Sequence, residues 1–172
     1  MTQQIRQTVK VLEALASAIA AEGVDHVFAV MGDANQDIIV ELCEKHGLKY
    51  VHAHHETSAV GMADGYARIR GAAMLATTYG VGELSAINGV MGAKAERSLV
   101  FHVVGMPSYQ HQRVHKITHH TLGDGVFGNF VDLSAGAACC HAVITPDTVS
   151  YTHLDADIAN RSLVTRFVIL SP

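Results

Sequence analysis

Six short apolar runs recur along this chain, and helical patterns separate most of them. They lie at residues 24–31, 48–53, 72–78, 98–105, 139–144 and 167–170. Between them, apolar positions fall at helical spacing: Val9, Leu12, Leu15, Ala16 and Ile19 on one face, then Ile38, Ile39 and Leu42 on another. Gly23, Gly47 and Gly71 stand where the first three helices should stop. Strands that alternate with helices imply parallel pairing, because a parallel neighbour is reached only by a crossover. The expected fold class is therefore α/β: a single three-layer domain, with a mostly parallel sheet of about six strands and helices on both faces.

Size and composition agree. The 172 residues suit one domain over residues 1–172, and 49% hydrophobic with 16% charged residues suits a chain with much buried surface. A formal charge of −4 gives no electrostatic footprint for nucleic acid or an anionic membrane, and no stretch is apolar enough to span a bilayer. Cys43, Cys139 and Cys140 form no disulfide framework, so reduced thiols and a cytoplasmic location are expected.

In parallel sheets, ligands bind beyond the carboxyl ends of the strands. The segments there are Gly32-Asp33-Ala34-Asn35, His54-His55-Glu56, Thr78-Tyr79-Gly80-Val81-Gly82 and Gly105-Met106-Pro107-Ser108. Most of the polar and Gly-rich clusters of the chain thus share one edge. Glu56 draws most attention, since a carboxylate between an apolar strand and a small-residue helix needs a partner for its proton or its charge. Asp33 either caps a helix starting near Ala34 or joins Glu56 in a site. His115, His119 and His120 have the spacing of one helical face, which leaves open a metal; His119-His120, in a loop, also suit acid–base work.

Two further motifs have plain alternatives. Gly80-Val81-Gly82-Glu83-Leu84-Ser85 follows a strand like a dinucleotide fingerprint, but Glu83 in the first helical turn would repel a phosphate. Gly123-Asp124-Gly125 lacks the preceding strand that a magnesium-diphosphate motif needs, and reads as a turn before a short helix over 126–133.

Several of these segments together resemble a known family. Glu56 with Met62-Ala63-Asp64-Gly65-Tyr66-Ala67-Arg68 resembles the pyrimidine-binding domain of thiamine-diphosphate enzymes. Thr77-Thr78-Tyr79-Gly80-Val81-Gly82-Glu83-Leu84-Ser85, His102-Val103-Val104-Gly105-Met106-Pro107 and His119-His120-Thr121-Leu122-Gly123-Asp124-Gly125 narrow the resemblance to the 2-oxo acid decarboxylases, the pyruvate and indolepyruvate decarboxylase group. It covers roughly residues 5–147; residues 149–172 carry little of it.

The resemblance implies non-oxidative decarboxylation of a 2-oxo acid to an aldehyde, with thiamine diphosphate and Mg2+ as cofactors. Glu56 matches the glutamate that hydrogen-bonds the aminopyrimidine ring. Asp33, His119 and His120 match groups that handle protons, while Gly32, Thr78 and Val81 match the cofactor-binding loops. The metal ligands are expected on a diphosphate-binding domain that residues 1–172 do not include. The chain should then carry half a site, be silent without that partner, and form a homo-oligomer. The alternatives are a noncatalytic oligomerisation or regulatory module of the same fold and a nucleotide-binding domain that uses Gly80 to Ser85. Two departures line the site: His55-Glu56-Thr57-Ser58 replaces the usual Asn-Glu-Leu-Asn, and Ala34 replaces an aromatic.

Overall fold

The computed structural model describes residues 11–144 and the backbone of Arg166–Leu170. The helix expected from Pro146 lies outside the described residues. Within them the chain runs α1 (Val11–Ala21), β1 (His26–Ala29), α2 (Gln36–His46), β2 (Lys49–His52), α3 (Glu56–Arg70), β3 (Ala73–Thr78), α4 (Val81–Ala95), β4 (Val100–Gly105), α5 (Tyr109–Arg113), α6 (Asn129–Ala135), β5 (Cys140–Ile144) and β6 (Arg166–Leu170). Every strand pairing is parallel, and the spatial order is β2-β1-β3-β4-β6-β5.

Period-two alternation distributes the apolar residues of the central strands to two cores. Val27, Ala29, Met74, Ala76, Phe101 and Val103 face α1 and α2. Phe28, Ala73, Leu75 and Val100 face α3 and α4. The α3 layer is lined with Ala59, Ala63 and Ala67, small residues that let the helix lie close to the sheet. A smaller third cluster, with Tyr79, Met106, Phe127, Phe130 and Val131, packs α6 and its preceding loop beside the β3–α4 turn.

The Ala-Asp-Gly-Tyr-Ala-Arg segment of α3 serves this scaffold. Tyr66 donates its hydroxyl to Asp25 Oδ1 at 2.9 Å, just before β1, and Arg70 reaches Asp25 Oδ2 at 3.4 Å. The hydrogen bond from His26 holds the Asp25 carboxyl below the usual carboxylate range against the opposing effect of burial, with Tyr66 adding to the lowering. Arg68 pairs with Asp64 at 2.6 Å and with Glu96, beyond the end of α4, at 3.5 Å. These bonds tie the C-terminal half of α3 to its neighbours, away from the carboxyl edge of the sheet.

The connection from β1 enters α2 on one face, whereas the connection from β3 enters α4 on the other. Between β1 and β3, which are adjacent, the loops therefore diverge. This is the topological switch point where an open parallel sheet has a ready crevice.

Candidate functional site

Four connections build the carboxyl edge. The first, residues 30–35, is a tight turn bolted by Asn35. Its buried side chain accepts from Gly32 N at 2.8 Å and donates to the Val30 carbonyl at 3.1 Å. The expected cap was Asp33 on a helix from Ala34. Instead α2 begins at Gln36, and Asp33 is left exposed on the turn that Asn35 fixes. Ala34 folds over the end of β4, where the absence of a side chain at Gly105 makes room for its backbone. Gly105 is also the register partner of Thr78, and its carbonyl accepts from Tyr79 N at 2.9 Å. The β1–α2 turn therefore lies beside the β3–α4 turn.

Glu56 is the first residue of α3 and is half-buried. Its Oε1 lies 3.2 Å from where a Cβ on Gly82 would stand, with the Thr78 methyl and Thr77 Cβ at 3.1 and 3.3 Å from the same point. Gly82 thus keeps open the space between the carboxylate and the α4 backbone. On the other side of the same turn, Gly80 has φ 70°, a conformation natural to glycine. A Cβ there would meet the His120 carbonyl oxygen at 2.5 Å and the Phe130 ring at 2.8 Å. Glu56 and the backbone of His120 are therefore held against glycines two residues apart.

The His-rich segment is a loop, not the helical face that spacing allowed. α5 stops at Arg113, and His115 and His120 both take left-handed backbone, φ 50° and 63°. His115 Nδ1 lies 2.8 Å from the Gly125 carbonyl, closing the base of the loop. The exposed rings of His119 and His120 meet edge-on with centroids 4.5 Å apart. Among the described residues no group of three or more His, Cys, Asp or Glu is placed to hold a metal ion. Asp124 caps the backbone of Val126 and holds Asn129, so Gly123-Asp124-Gly125 is a turn, with α6 starting at Asn129, three residues later than expected.

Glu83 is the polar residue that sequence reasoning placed least well. It is fully buried, not presented to an incoming anion. Oε2 accepts from Gly80 N at 3.0 Å and Oε1 from Ser134 Oγ at 2.7 Å. Burial pushes its carboxyl above the ordinary value, and these two hydrogen bonds oppose that rise. The helix-opening N–H that a dinucleotide phosphate would use is already taken by this carboxylate, which removes the main support for that reading. Beneath the turn, Thr77 Oγ1 and His102 Nε2 are 2.9 Å apart, and burial drives His102 down to about 3.

Residues 9–127 match the family model described as "Thiamine pyrophosphate enzyme, N-terminal TPP binding domain". The chain belongs to this family. It is 39% identical over 148 residues to pyruvate decarboxylase of Hanseniaspora uvarum, covering 86% of the chain and 26% of that protein. It is 41% identical over 134 residues to an alpha-keto-acid decarboxylase of Mycobacterium avium, covering 78% of the chain and 24% of that protein. The chain thus spans about a quarter of the length of the curated relatives it matches. The thiamine diphosphate-dependent 4-hydroxybenzoylformate decarboxylase of Rhodococcus jostii shares the fold, with a TM-score of 0.77 over 95% of this chain and 30% of that one at 16% identity. No helix among the described residues is long and apolar enough to cross a membrane.

Proposed function

We propose that this chain supplies the pyrimidine side of a thiamine-diphosphate site that decarboxylates a 2-oxo acid to an aldehyde. One observation carries the reading: Glu56 is half-buried at the carboxyl edge of the sheet and backed by side-chain-free Gly82. A flat ring with a basic nitrogen fits that edge. A carboxylate is available to share a proton with it, and Val81, apolar yet 53% exposed as the first residue of α4, offers a face to lie on. When bound, the cofactor supplies the carbanion chemistry and the electron sink for loss of carbon dioxide.

The residues of this chain hold and move protons. Glu56 exchanges a proton with the pyrimidine ring nitrogen, as a carboxylate within hydrogen-bond reach of a basic nitrogen does. Thr78, Val81 and Gly32 line the ring. Asp33, His119 and His120, all exposed at the same edge, take the proton-transfer steps on the substrate side. The diphosphate and its Mg2+ are held by a separate domain or subunit. A cytoplasmic, homo-oligomeric enzyme and a single domain over residues 1–172 complete the reading.

The test is complementation. The purified chain should give no aldehyde from a panel of 2-oxo acids with thiamine diphosphate and Mg2+. Adding a polypeptide that carries the diphosphate-binding domain should restore turnover. Metal-dependent turnover by the chain alone would overturn the half-site assignment.

A further inference from the structure

Whatever fixes the first turn of α3 fixes Glu56. His55 occupies the N-cap of that helix with extended backbone, φ −156° and ψ 149°, and its carbonyl accepts from Ser58 N and Ala59 N at 3.0 Å each. Its side chain turns back on the helix. Nδ1 lies 3.2 Å from Thr57 N and 3.1 Å from Thr57 Oγ1. The Thr57 hydroxyl proton is directed elsewhere, to the Ser85 carbonyl of α4 at 2.9 Å.

These distances restrict the imidazole. Thr57 Oγ1 has one proton, and with that proton on Ser85 it offers Nδ1 only lone pairs. An unprotonated Nδ1 therefore finds its donor in the Thr57 N–H, one of the orphan amides of a helix start. An Nδ1–H would instead donate to Thr57 Oγ1 and leave that amide without its cap. Serine, threonine, aspartate and asparagine are the usual N-cap acceptors; here an imidazole does the same work.

We propose that His55 is a positioning residue for Glu56, capping α3 as a neutral imidazole with its proton on Nε2. The proposal rests on the reading of Glu56 as the pyrimidine partner. Thr57 ties the same turn to α4 through Ser85, four residues beyond Val81. Glu56 is thus bracketed in sequence by a cap on one side and a cross-helix bond on the other, and both hold it over Gly82.

The experiment uses the full 172-residue chain. A long-range 1H–15N spectrum near neutral pH should show His55 as the Nε2–H tautomer, a readout that needs no variant. Amide exchange of Thr57 should quicken about fivefold in His55→Ala, as loss of a typical cap implies, and return close to the wild-type rate in His55→Asn. An Nδ1–H tautomer, an unchanged Thr57 rate in His55→Ala, or no recovery with asparagine would each overturn the proposal. None of these readouts depends on the cofactor. If the decarboxylase reading failed, the cap would still be seen; if the cap failed, the activity test of Glu56 would stand untouched.

Discussion

The Glu56 carboxylate lies against the backbone of Gly82, with Oε1 3.2 Å from the position a Cβ would take. Gly82→Ala sets two effects against each other. Alanine in a helix is favoured over glycine by about 1 kcal/mol, while the new methyl meets the Thr78 methyl, Thr77 Cβ and Glu56. Net stability should change by less than about 1 kcal/mol. The 13C resonance of the Glu56 carboxyl should move, because that carboxylate is the group freest to give way. An unmoved resonance would show that Gly82 does not set its position.

Gly80→Ala should behave differently. The left-handed backbone costs a side chain roughly 1–2 kcal/mol, and the methyl would also run into the His120 carbonyl and the Phe130 ring. Denaturant unfolding should show a loss of about 2 kcal/mol or more. A wild-type midpoint would mean that the loop does not pack on the turn as described.

Glu83 gives a pH signature. Burial raises its carboxyl, so the folded state holds that proton more tightly than the unfolded chain does. The resulting contribution to stability is complete below the ordinary value of 4.5 and is lost as pH rises through the raised one. Glu83→Gln has no charge to bury, so its stability relative to wild type should improve steadily from acid toward neutral pH. Urea unfolding across that range measures it, and parallel curves would contradict it. Ser134→Ala, which removes one donor from the buried carboxylate, should cost about 1–3 kcal/mol at neutral pH.

His102 has the opposite dependence. Burial lowers it from 6.5 to about 3, so the unfolded chain takes up a proton that the fold refuses over that interval. Its contribution to stability is complete above 6.5 and is lost as pH falls toward 3. Removing the imidazole in His102→Gln should flatten the acid limb of a plot of melting temperature against pH. An acid limb as steep as that of the wild type would assign the loss to other groups.

The strands and their order along the chain were legible because continuous apolar runs and helical spacing are local signals. Which core each residue enters was not, since Val27-Phe28-Ala29 and Met74-Leu75-Ala76 are apolar throughout and only the structure divides them between the two faces. Polar partnerships were not legible, because they join residues far apart. Glu83 in α4 meets Ser134 in α6, and without that partner it reads as an exposed acid in a first turn. Asp33 and Asn35 are both good cap residues two positions apart, and only burial of the Asn35 side chain shows which one bolts the turn. The His-rich segment reads as a loop from its sequence and is one; only the helical spacing of His115, His119 and His120 fails, because the left-handed backbone at His115 and His120 breaks that face. Glu56 stands out in the sequence because an acid at a strand end asks for a partner, and the structure places it half-buried as the first residue of α3.

The central claim concerns that acid, and one comparison tests it most directly. In chain complemented with a diphosphate-binding domain, thiamine diphosphate and Mg2+, kcat for decarboxylation is measured for wild type and for Glu56→Gln at matched fold and cofactor saturation. Glutamine keeps the shape and loses the exchangeable carboxyl proton, so kcat should fall by about 100-fold or more. A Glu56→Gln enzyme that turns over at the wild-type rate would contradict the account.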